Sequence, residues 1–164
     1  MIIFGFSLST SDVWLLGTCG FLFMALIGYR LTINAQRHNA FNIAATTFRA
    51  KFIAELEGLY PIPVNWPKSI EVQSFLGSKF PKIQSIVEEF RGYLPGRIKK
   101  KFDKAWVDYY SATGQEGYQC YHHYMPFMST YNVDGKQITK DTRDTYKETF
   151  KHNVDTLLSF AKRK

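Results

Sequence analysis

Apolar residues are distributed along this chain in two different ways. From Val13 to Tyr29 ("VWLLGTCGFLFMALIGY") they form a run with no charge in it, and the single charge before it is Asp12. Beyond residue 40 they form stripes. Phe41, Ala45, Phe48, Phe52 and Leu56 follow at steps of three and four, which places them on one helix face. Gly58 and the prolines of "YPIPVNWP" (60 to 67) end that helix, because a proline inside it removes a donor and crowds the preceding turn. A second stripe, Ile83, Ile86, Val87 and Phe90, has Ser78 as its cap and Gly92 near its end. A third follows "YLPG" with Ile98, Phe102, Ala105, Trp106 and Tyr109. The fourth spans about Thr139 to Ala161, with Tyr146, Phe150, Val154, Leu157, Leu158 and Ala161. Segment 68 to 77 adds a short helix. The pattern predicts an all-α chain in which a small helical bundle follows the apolar run.

The run itself predicts a transmembrane helix. At about 1.5 Å per residue its 17 residues rise roughly 26 Å, and continuing to Ile33 reaches the ~30 Å of a hydrocarbon core. Trp14 and Tyr29 fall near its ends, where amphipathic rings favour the membrane interface, and Arg30 and Arg37 follow as interface cations. A cleaved signal peptide is disfavoured, because no base precedes the run and "YRLTINAQRHNA" is a poor cleavage site. A surface-lying amphipathic helix needs a charged face, and a buried core helix rarely needs so long an uncharged run. The expected organisation is therefore residues 1–12 outside, a span over 13–33 and a cytoplasmic helical domain over 34–164.

Charge sets the expected orientation. All 21 Lys and Arg follow the run, against 13 acidic residues there, a net +8. Positive charge close behind a span keeps that side cytoplasmic, and a basic body is drawn to an anionic leaflet. These features place the chain in a cell inner membrane, single-pass, with its N-terminus out and a lipid bilayer as its first partner. The two cysteines, Cys19 in the apolar run and Cys120 in a polar stretch, do not suggest a disulfide framework. The 14 Phe, 10 Tyr and 3 Trp supply large apolar side chains for a core.

Candidate chemistry concentrates in "GYQCYHHYMPFMSTYN" (117 to 132), in the long gap between the third and fourth helices. Cys120, His122 and His123, joined by His152, are the residue types of a zinc site, but their spacing matches no recurrent zinc pattern. With Asp134 as orienter they also meet the parts list of a thiol hydrolase, though without its local signature. Rings that cover the bundle and turn polar tips to water account for the same residues. Asp134-Gly135 reads as a hairpin turn. Phosphate-cradling glycine loops are absent, and no arginine has a histidine five positions later. No cofactor or metal is implied.

The basic cluster "RIKKKFDK" (97 to 104) puts Arg97, Lys101 and Lys104 on one helix face, with Lys100 beside them. A solvated face or anionic headgroups account for it, and nucleic acid is the less favoured partner. Gly17, Gly20 and Gly28 lie on roughly one side of the apolar run without the GxxxG spacing of close helix pairs.

"FRAKFIAEL" (48 to 56), "YLPGRIKKKFDKAWVDYY" (93 to 110) and "LLSFAKR" (157 to 163) together resemble a group of small, uncharacterised bacterial helical-domain proteins, some of them membrane-anchored. The resemblance implies a bacterial helical domain and transfers no active site. The sequence thus reads as a non-enzymatic, membrane-anchored accessory or effector component. Its helical domain would bind a protein partner or assemble with copies of itself. A tethered metal- or thiol-dependent hydrolase and a tethered nucleic-acid binder are the alternatives.

Overall fold

The computed structural model describes the backbone of residues 2–3, 6–7, 10–133 and 136–162, and side chains at 14, 18, 20–69, 71–128 and 141–162. Short strands β1 (Ile2–Ile3) and β2 (Phe6–Ser7) pair antiparallel. They precede α1 (Thr10–Glu55), α2 (Ser69–Arg91), α3 (Gly96–Tyr110), a 3-10 turn over His122–Tyr124, β3 (Met128–Val133), β4 (Lys136–Asp141) and α4 (Tyr146–Ser159). The chain divides into a unit over Met1–Ala40 and a body over Phe41–Lys164.

The predicted membrane-crossing helix over residues 13–33 is corrected. Among the described residues no helix is long and apolar enough to cross a membrane. Arg30, Thr32, Asn34, Gln36, Arg37 and His38 then make the continuing helix polar. What stands is the helical bundle.

In the body, the predicted stripes become the core. Ala45, Phe48 and Phe52 of α1 and Leu56 just after it are buried with Ile83, Val87 and Phe90 of α2, Phe102, Trp106 and Tyr109 of α3, and Phe150, Val154 and Leu157 of α4. Phe48 stacks on Phe90 at 4.5 Å between ring centres, and Phe102 meets both rings edge-on at 6.0 and 5.7 Å. Past the end of α1, Gly58 adopts φ 91°, a left-handed conformation that a residue with a Cβ rarely takes. Arg49 reaches back from α1 to the last turn of α4, donating to the Leu158 carbonyl at 2.9 Å. That bond serves one of the orphan carbonyls of a helix end.

Two boundaries differ from the sequence reading. Segment 68–77 and the second predicted helix are one element, because α2 runs through Pro81. The proline removes one backbone bond and crowds the carbonyl of Gly77, at a cost of about 3 kcal/mol. Burial of Val72 and Leu76 before it and of Ile83, Val87 and Phe90 after it outweighs that cost. The helix therefore begins at Ser69 rather than Ser78, with the Glu71 carboxylate accepting from the Lys68 backbone N–H at 3.0 Å. The fourth helix starts at Tyr146, because Thr139 lies in β4, paired with Thr130 of β3. The predicted Asp134-Gly135 turn lies outside the described residues.

Candidate functional site

The 117–132 stretch is tied to the bundle along much of its length. Its entry runs beside the end of α3, where Cys120 donates its N–H to the Tyr110 carbonyl at 2.8 Å and accepts from Ala112 at 2.9 Å. Gly117 adopts φ 80° and donates to the Tyr110 hydroxyl at 3.1 Å. The 3-10 turn then drives His123 and Tyr124 inward and leaves His122 in water. Tyr124 is fully buried, edge-on to Phe150 at 5.0 Å, and the His123 ring lies 3.8 Å from its ring. Its hydroxyl donates to the Tyr109 carbonyl at 2.7 Å and accepts from Asn153 Nδ2 at 2.9 Å. Thr142 closes the stretch by donating to the Met125 carbonyl at 2.6 Å.

Burial decides the ionisation of these phenols. Tyr109 and Tyr124 are pushed well above the ordinary phenol range because their charged forms would be desolvated. Burial pushes Tyr121 up to about 12, against a smaller opposing effect from its bond to Gln119. All three are neutral at physiological pH.

The predicted chemical residues are not brought together as one centre. Cys120 and His123 are buried, whereas His122 and His152 are exposed, His152 on α4. Among the described residues no three His, Cys, Asp or Glu side chains are grouped to hold a metal ion. The predicted interface residues Trp14, Tyr29, Arg30 and Arg37 are all exposed on α1. In the basic cluster, Arg97, Lys100 and Lys101 are exposed without an ion pair among the described residues, and Lys104 bonds Asp108 at 2.6 Å.

Two features escaped the sequence reading. Glu55, nearly buried at the end of α1, is bonded by Lys79 at 3.1 Å and Lys82 at 2.5 Å. Those two bonds hold its carboxyl below the usual carboxylate range. The second is a cavity of about 570 Å³ bounded by α2, α3 and the segment after α3. Phe80, Trp106 and Tyr110 wall it, and Glu88, Arg91, Asp103 and Glu116 bring charge to it. Arg91 holds Asp103 with two bonds, 2.6 and 2.9 Å, which lower the carboxyl's pKa.

Fold and surface together define a small helical-bundle domain with an aromatic core, preceded by an apolar helical segment. Compared with family models, curated proteins and solved structures, the chain matches none.

Proposed function

We propose that this chain is a non-enzymatic accessory protein that works at a lipid bilayer, while its body, residues 41–164, binds a protein partner or another copy of itself. The observation that carries the reading is the apolar surface of α1. Phe21, Leu22, Phe23 and Met24 are between 61% and 76% exposed, and Leu26, Tyr29 and Leu31 continue the surface. Four consecutive residues on a helix point to all sides. A helix that is apolar all round needs an apolar surround, which acyl chains provide. Two of its hydroxyls are satisfied internally: Thr18 donates to the Trp14 carbonyl at 3.0 Å and Thr32 to the Gly28 carbonyl at 2.9 Å. Arg30 and Arg37, both exposed, then suit anionic headgroups such as those of a cytoplasmic leaflet, at about 1 kcal/mol each. The reading requires contact with lipid, not passage across it.

Flotation tests it. Full-length protein mixed with phosphatidylcholine and phosphatidylglycerol vesicles rises with them through a density gradient, and a Phe21→Ser, Phe23→Ser, Leu26→Ser variant stays behind. Wild-type protein that remains at the bottom overturns the reading.

A further inference from the structure

The cavity between α2 and α3 has the size of a ligand site, about 300–1,000 Å³. Its wall is aromatic: Phe80 stacks on Trp106 at 5.6 Å, and Tyr110 lies 5.1 Å from the same indole. Its charge is opposite to that of the chain. Glu88, Asp103 and Glu116 face one base, Arg91, in a protein whose net charge is +7. Arg91 satisfies Asp103 and stands 3.8 Å from Glu88, and Glu116 has no ion pair among the described residues. The lining therefore has carboxylate charge left over.

The matching charge sits on the same helix. Arg97, Lys99, Lys100 and Lys101 open α3, and none is ion-paired among the described residues. Lys99 and Lys100 lie four and three residues before Asp103, on the helix face that continues into the cavity wall at Val107 and Tyr110. The field of Lys99 at Asp103 agrees with this placement. A second α3 laid antiparallel along this face brings its own Lys99 and Lys100 over the carboxylates. A two-fold axis makes the reciprocal contact the same.

We infer that the cavity receives Lys99 and Lys100 of a second copy, in an antiparallel two-fold pairing of α3. The ammonium groups meet Glu88 and Glu116, and the methylene stems lie along Phe80 and Trp106. The inference rests on the reading of the body as partner-binding and names its partner.

The test is the mass of the full-length protein in mild detergent, read by light scattering. Wild type is a dimer. Lys99→Glu with Lys100→Glu, and separately Glu88→Lys with Glu116→Lys, weaken it on the order of a hundredfold through like-charge contact. Combining all four substitutions restores the dimer. Glu88, Lys100 and Glu116 are exposed, and unchanged thermal melts of the monomeric forms establish that the variants fold. A monomeric wild type, a dimer indifferent to both reversals, or a combined variant that stays monomeric overturns the pairing. If monomeric wild type binds an added "RIKKKFDK" peptide, the cavity serves a different basic protein and the second-copy assignment is overturned. Flotation separates the two proposals: wild type that floats as a monomer overturns only the pairing, and a dimer that fails to float overturns only the lipid reading.

Discussion

The Tyr124 hydroxyl donates to the Tyr109 carbonyl at 2.7 Å and accepts from Asn153 Nδ2 at 2.9 Å, so one phenol joins the 3-10 turn, α3 and α4. Asn153 also donates to the Asp108 carbonyl at 3.0 Å, which makes the join a small network. Tyr124→Phe keeps the ring against Phe150 and removes the donor from a site with no exposure. Leaving buried polar partners unmatched costs about 1–3 kcal/mol. Urea unfolding is expected to report a loss in that range, and Asn153→Ala on top of Tyr124→Phe is expected to add less than its effect alone.

The same burial predicts an alkaline limit. Tyr109, Tyr121 and Tyr124 have folded-state pKa values above the ordinary phenol value, Tyr121 at about 12. For a group whose folded pKa is raised, stability is fully present below the unfolded value, about 10, and is lost as pH rises through the folded one. Stability is therefore expected to fall from about pH 10 toward pH 12. Tyrosinate absorbance and circular dichroism, followed together, check this. The buried three are expected to ionise together with loss of helix.

On the acid side the sign reverses. Glu55, bonded by Lys82 and Lys79, and Asp155, bonded by Lys151 and the Tyr60 hydroxyl, both have lowered pKa values. Their contributions are present above the ordinary carboxylate range, near pH 4, and are lost as pH falls through the lower folded values. Glu55→Gln and Asp155→Asn are expected to flatten the acid limb of a stability-against-pH curve while leaving its alkaline limb in place. An unchanged acid limb in the double variant removes this account.

What was legible in the sequence is what periodicity encodes. Steps of three and four alone put Phe48, Phe52, Phe102, Trp106, Phe150 and Val154 on apolar faces, and each is buried. Boundaries were less legible, because local signals lost to tertiary burial. Ser78 reads as a cap, yet α2 begins at Ser69 and the apolar face on both sides of Pro81 holds it together. Thr139 fits the phase of the α4 stripe, yet it pairs with Thr130 across a hairpin. The inward turn of His123 against the outward turn of His122 was not legible, since adjacent residues say nothing about which side a single 3-10 turn presents to the core. Glu55 and the aromatic cavity depend on contacts between α1, α2 and α3 that no local spacing shows.

Phe48 gives the core prediction. Its ring stacks on Phe90 and meets Phe52 and Phe102 within 6.0 Å, with only 2% of its surface exposed. Phe48→Ala is expected to cost about 3–5 kcal/mol, the range for emptying a large aromatic site. Phe41→Ala, at a half-buried position beside Phe90, is expected to cost less. Equal losses at the two positions would contradict this placement of the core.

The two adjacent histidines separate a packing role from a chemical one. His122 is exposed and touches Phe127 edge-on at 6.2 Å, whereas His123 is buried with its ring against Tyr124. If the stretch serves packing, His122→Ala changes stability by no more than about 0.5 kcal/mol, and His123→Ala costs up to about 3 kcal/mol. A zinc site or a thiol catalyst reverses the expectation, because an accessible His122 would then matter for metal content or activity while global stability changed little. Thermal melts of both variants with added zinc or a chelator decide between them. Melting points that ignore metal and depend on His123 alone agree with a stretch whose aromatic rings hold α3 and α4 together.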